Sequence, residues 1–335
     1  MKNESSTYEN RNFTDNLLVI RKSFPGQMKM MQDLGAVMCE AAGKSIDKAR
    51  IKECMKLLKK SSSFVSSFRG NIKLPVCISM ALSDDPASYI DEVKETYSSL
   101  SEHFVFGNDQ RALCAMVIYQ NSEKERRAEI CERAYAIYKK MKEKHPFLAS
   151  QDDLSAAALM AMSGMDEDAA LGEMEKCYKL LTKRFALNAD YVRNACAVLA
   201  LDGEKTAEEK CAAFNDLYDA LKKNKLSMGR GHELSIIAIL VILGYSPEEA
   251  VTEMKKYDDF LRTQKGFGAL EAGSHARRMF AATLSCIYRT RSGEGSTALS
   301  ASMSAVLATV IDIQLMMIMC IMMNQRAAAS NSQRK

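Results

Sequence analysis

Tryptophan is absent from these 335 residues, proline occurs only five times and histidine four. So few prolines leave long stretches free to form helix, because proline lacks the backbone donor and clashes with the preceding turn. No CxxC occurs either, and the ten cysteines stand singly at 39, 54, 77, 114, 131, 177, 196, 211, 286 and 320. That spacing speaks against a disulfide framework or a zinc site, and each cysteine reads as a small buried hydrophobe in a reducing compartment. A surplus of one charge is missing too. With 46 basic against 42 acidic residues the chain carries +4, too little to imply nucleic acid as a partner. The opening MKNESSTYENRNF is polar and lacks the apolar run of a secretory signal, so a cytoplasmic location is expected. Also missing are a GxxxxGK loop, a dinucleotide fingerprint, an HExxH pair and a GxSxG elbow. Neither a cofactor nor a metal site is expected, and the chain leans away from being an enzyme.

What is present is Ala, Leu, Met, Lys and Glu, whose side chains lose little rotamer freedom in a helix. An all-α protein is the expectation. Helices are read at Phe13 to Ile20, Gln27 to Ala42 and from Lys48 onward, the last with Ile51, Cys54, Met55 and Leu58 as an apolar stripe. Between Lys44 and Lys73 nine Lys or Arg face only Asp47 and Glu53, making this the most basic window of the chain. It reads first as a solvated helix face, with contact to an anionic lipid surface or to nucleic acid as the functional alternatives.

Beyond it a unit of about forty residues recurs, with starts at Phe104, Phe147, Phe185, Leu226 and Phe267. Each start precedes a small-residue helix and then a charged amphipathic one. The small-residue helices (Asn108 to Tyr119, Asp152 to Ser163, Ala189 to Leu201, His232 to Leu243, Gly273 to Thr290) are apolar nearly all round, as helices covered on several sides must be. A two-helix unit cannot bury its own apolar face, so stacking in an α-solenoid-like array is expected. The domain reading is residues 1–67 as helices capping the array, 68–290 as hairpin repeats, 297–324 as a hydrophobic C-terminal helix and 325–335 as a disordered tail. The apolar stretch from Thr297 to Met323 is long enough to span a bilayer, with Asp312 as the group opposing that reading. It fits either a buried terminal helix, a membrane anchor or a homodimer contact.

Alignment of the repeats places Gln110, Asp153, Tyr191, His232 and His275 near helix starts, with Glu233 beside them. Asp153, His232, Glu233 and His275 are the weak candidates for acid/base or metal chemistry, because carboxylate and imidazole are the groups that such work uses. Arg230, Arg277 and Arg278 are the weak candidates for holding an anion or peptide. The structural alternative is that Asp109, Asp152 and Asp190 cap helices, and that His103 and His145 close them.

The segment KHPFLASQDDLSAAALMAMSG, Lys144 to Gly164, with the following helix ending in Tyr178 to Arg184, resembles the central motif of the bacterial family called domain of unknown function 4003. The resemblance runs from the N-terminal helices to the Ala- and Met-rich tail. It implies an all-helical bacterial protein with no established activity, and it brings no reaction or binding residues. Three functions follow as expectations: an intracellular scaffold engaging a protein or peptide, a membrane-attached version of it, and a metal-dependent or acid/base enzyme at the helix-start edge.

Overall fold

The computed structural model describes residues 11–27, 29–60, 67–68, 72–103, 109–144, 153–231, 233–267 and 273–292. Among these no strand occurs, and the chain is all-helical. The helices are α1 (Arg11–Ser23), α2 (Lys29–Ala42), α3 (Lys48–Lys60), α4 (Lys73–Leu82), α5 (Pro86–His103), α6 (Asp109–Gln120) and α7 (Arg127–Lys144). There follow α8 (Asp153–Met162), α9 (Glu167–Phe185), α10 (Ala189–Leu199), α11 (Ala207–Lys223), α12 (Leu234–Ile242), α13 (Pro247–Thr263) and α14 (Gly273–Ser292). The apolar stretch at residues 297–323 lies outside the described residues, as do His145, Asp152 and His232. No helix among the described residues is long and apolar enough to cross a membrane.

Local chemistry sets the ends of these helices. Ser246 and Thr206 open α13 and α11 with reciprocal capping boxes to Glu249 and Glu209, and Pro247 occupies the first turn where a missing donor costs nothing. Asp166 caps α9 by accepting from Asp168 N and Ala169 N. Gly244 ends α12 at φ +70°, with Tyr245 N bonded back to Leu240 O, and Gly43 does the same for α2 at φ +64°. Glycine tolerates that left-handed turn because it has no Cβ to clash.

Packing sorts the helices into two rows. The even-numbered helices are buried nearly all round: every residue of α12 is covered, as is every residue of α8 except Met162. The odd-numbered ones bury one stripe, such as Ile51, Cys54 and Leu58 in α3 or Ala250, Met254, Tyr257 and Leu261 in α13. Within the chain α1 packs on α2, α3 on α4, and so on to α13 on α14. Each outer helix also touches the next outer one from α1 through α13, and the inner helices α6, α8, α10, α12 and α14 pack in succession. Inner neighbours α2 and α4 are joined in the same way, whereas the described residues form no extended contact between α4 and α6.

The order closes on itself. Helix α14 packs against α2. Phe13 of α1 meets Phe260 of α13 edge-on at 6.0 Å between ring centres and lies 6.3 Å from Phe267. The guanidinium of Arg21 sits over the Phe267 ring, bonds to the Lys265 carbonyl and pairs with Asp33 at 2.5 Å. Glu40, 2% exposed, accepts from Asn12 (3.1 Å), Tyr288 (2.9 Å) and Arg291 (3.0 Å). Residues more than two hundred positions apart therefore seal the first pair to the last.

Candidate functional site: the two ends of the helical rows

Since helices alternate in direction, every inner helix starts at one end of the assembly and finishes at the other. The starting end carries the residues singled out by sequence. Asp153 is the first residue of α8 and is buried, and its two oxygens accept from Arg193 Nε (2.9 Å) and Nη2 (2.7 Å) of α10. Both side chains are 1% exposed. This bidentate pair is a bolt between neighbouring inner helices, since removing either charge strands the other in an apolar surrounding. Arg277 is held likewise, with Nε on Asp258 Oδ1 at 2.7 Å and Nη1 on the Phe267 carbonyl at 3.1 Å.

The remaining residues are placed separately. Glu233 precedes α12 and its carboxylate accepts from Gly231 N at 2.9 Å. Arg230 bonds the Tyr218 hydroxyl at 3.0 Å, and Arg278 donates to the Ser227 carbonyl at 2.8 Å. His275 is exposed in the first turn of α14. His232 lies outside the described residues, so the grouping of Asp153, His232, Glu233 and His275 is seen only in part. Among the described residues no three His, Cys, Asp or Glu come together as metal ligands. The expected caps differ as well. Asp190 lies inside the first turn of α10, 3.9 Å from Arg193, while Asn188 holds the cap position without a side-chain bond. Asp109 begins α6, where burial pushes its carboxyl pKa up.

At the opposite end, two clefts open. The first, of about 660 Å³, lies where α4 and α6 part, between the ends of α2, α4 and α6 and the starts of α5 and α7. Tyr89 and Tyr119 pack edge-on at 4.8 Å along its wall. Gln120 donates to the Tyr89 hydroxyl at 3.0 Å, and burial pushes the Tyr89 phenol pKa up. Arg127 lies 4.4 Å over the Tyr119 ring and is fixed by Glu92 at 2.5 Å. Ser79, 5% exposed, also lines the cleft, with its hydroxyl against the Tyr89 phenol. Lys44, Asp84 and Asp85 line the same cleft, so charges of both signs surround an aromatic wall. A cleft of this size with a few convergent polar groups is the usual form of a small-ligand or peptide site.

The second cleft, of about 690 Å³, runs along α13 and α14 beneath Tyr245, Tyr257 and Tyr288. There Tyr257 and Tyr288 stack at 5.3 Å, and Arg289 covers Tyr245 at 4.1 Å. The cysteines offer no exposed nucleophile among the described residues. All nine are buried free thiols, and burial raises Cys54 to about 11 and Cys77, Cys114 and Cys131 to about 12.

Sequence reading missed both clefts. Their walls are tyrosines and serines at helix ends, which the repeat period treats as ordinary turn residues. It also missed Arg193 and Asp258, the partners in the buried pairs. A signal existed for Arg193, a lone cation just before the apolar run NACAVLAL.

Comparison with known proteins gives a family and little more. The family model for the protein of unknown function DUF4003 matches residues 19–316. The uncharacterized protein YeaA of Bacillus subtilis (strain 168) is 26% identical over 146 residues, which is 44% of this chain and 43% of that protein. The match thus spans less than half the length of that relative. No solved structure matches.

Proposed function

The chain belongs to the DUF4003 family of proteins of unknown function, and on that premise we propose that it is an intracellular binding module built from stacked helical pairs. Its partner is a protein, engaged through a short peptide segment held in the cleft between α2, α4 and α6. The observation carrying this reading is the aromatic wall of Tyr89 and Tyr119, packed edge-on at 4.8 Å with the Arg127 guanidinium over Tyr119, in a cleft lined by charges of both signs. The buried tyrosine supplies apolar area with a fixed polar tip, as peptide-binding surfaces commonly do. Lys44, which donates to the Leu82 carbonyl at 2.8 Å, and the neighbouring Asp84 and Asp85 supply charges of both signs for the polar groups of a bound segment.

The buried charges at the starting end serve stability in this reading, because Asp153 and Arg277 already have buried partners. The test is a fluorescence screen of tiled peptides against the wild type, Tyr119→Ala, Ser79→Val and His275→Ala. Peptides that bind the wild type and His275→Ala, but lose at least tenfold against Tyr119→Ala and Ser79→Val, are the expected result. Peptides lost only on His275→Ala would move the site to the starting end.

A further inference from the structure

We infer that the lysine face of α3 docks this protein on an anionic phospholipid surface. Helix α3 carries Lys48, Arg50, Lys52, Lys56, Lys59 and Lys60, with Glu53 as its one carboxylate. Ile51, Cys54 and Leu58 bury one stripe against α4, and this turns Lys48, Lys52, Lys56, Lys59 and Lys60 outward, all exposed. Over thirteen residues these ammonium groups line about 20 Å of the outer row.

What distinguishes α3 is how its charges are left. From α5 to α11, outer helices are stitched to their neighbours by ion pairs across the groove. Arg127 and Lys124 of the α7 side hold Glu92 and Glu95 of α5; Lys140 holds Glu167 and Asp168 of α9; Lys210 of α11 holds Glu173; Arg184 of α9 holds Asp219. On α3 Arg50 pairs with Glu53 at 3.9 Å and also donates to the Asp84 carbonyl. Lys48, Lys52, Lys56 and Lys60 form no ion pair among the described residues. The nearest acidic helix cannot supply them, because Asp91, Glu92 and Glu95 of α5 are drawn to Lys94, Arg127 and Lys124. Four ammonium groups are therefore left in water on one face, where each adds to attraction by a negative surface.

The shape of the face selects the partner. A single convex helix without an aromatic side chain offers no stacking platform for single-stranded bases. A plane of acidic headgroups needs neither groove nor stacking, only a row of cations within a Debye length of about 8 Å at physiological salt.

The test is co-sedimentation of the full-length chain with vesicles of phosphatidylcholine alone or with about a third phosphatidylserine, at two salt concentrations. The variant replaces Lys48, Lys52, Lys56 and Lys60 with Gln. These side chains are exposed and unpaired, and circular dichroism and Tm serve to check that the fold is kept. Binding to the acidic vesicles alone, weakened about fivefold for each lysine removed and by added salt, is the expected result. Equal binding to both vesicle types that the variant leaves unchanged would overturn the proposal and assign contact to another segment, such as residues 297–323. Absence of binding would overturn it as well, as would tighter capture by a single-stranded oligonucleotide competitor.

Discussion

Two places in the inner row differ most: the seam where α14 meets α2, and the step between α4 and α6. At the seam the chain joins its two far ends, and it does so with three phenylalanines, the Arg21 clamp and the Glu40 hub. At the step the chain is continuous, yet the inner neighbours part and a cleft lined by tyrosines, Ser79 and charged groups opens. Contacts between distant residues must be made by specific side chains, because no short loop holds the partners together. Where the intervening outer helix α5 already packs on both inner neighbours, the protein can leave a gap between them. The opening at α4 and α6 is therefore a place of low packing demand, which suits a binding site.

This contrast is sharpened first by reference to a fully sealed step. Asp153→Ala would leave the Arg193 guanidinium buried and unpaired between α8 and α10, with an expected loss of about 3–5 kcal/mol in urea unfolding. Phe13→Ala comes next. Truncating a ring that is fully buried at the seam should cost about 3–5 kcal/mol and separate the terminal pairs before the rest unfolds. A two-state transition with unchanged midpoint would contradict its sealing role. Glu40→Gln keeps an acceptor but removes the charge facing Arg291, so about 1–3 kcal/mol is expected, read by the same denaturant titration.

At the step, by comparison, the effects are small. Tyr119→Ala should cost no more than about 1 kcal/mol in stability, since the ring is only half-buried, while weakening peptide capture by about tenfold or more. A loss as large as that of Phe13→Ala would mean the cleft is ordinary core.

The smallest effect is one of pH. Hydrogen bonds from Arg127 and then Ser88 hold the Glu92 carboxyl below the usual carboxylate range. A depressed folded-state pKa gives stability that is present above the unfolded value of about 4.3 and is lost as pH falls through the folded value. Acid titration should therefore loosen the Arg127 wall of the cleft, with the Glu92→Gln variant lacking that part of the pH dependence. Because the carboxyl is near the surface, the difference should stay under about 1 kcal/mol.

Much of the helical layout is legible in the residues. The Ser246, Pro247, Glu249 start of α13 follows from cap chemistry, and the all-round apolar LSIIAILVI marks α12 as covered before any contact is known. The third helix begins at Lys48 as its stripe requires. Closure is not legible in this way. Phe13 and Phe260 look like ordinary stripe residues of two amphipathic helices, and nothing local says that the stripes face each other. Asp153 shows the same limit from the side of function. Its sequence setting fits a cap, a catalytic acid and an ion pair equally, and only the placement of Arg193 forty residues on tells them apart. The clefts fall between helices, so no single stretch of sequence contains one.

The meeting of the first and last pairs is the claim from which the rest follows, and a distance measurement tests it directly. Lys22 and Lys265 are exposed and adjoin the Arg21 contact with the Lys265 carbonyl. Spin labels on Lys22→Cys and Lys265→Cys, in a Cys320→Ser background, report their separation by pulsed electron resonance. A closed arrangement predicts one narrow population at the short limit of the method. Helical pairs stacked without closure, at about 9 Å for each step, would instead place the labels about 50 Å apart, and that result would contradict the account.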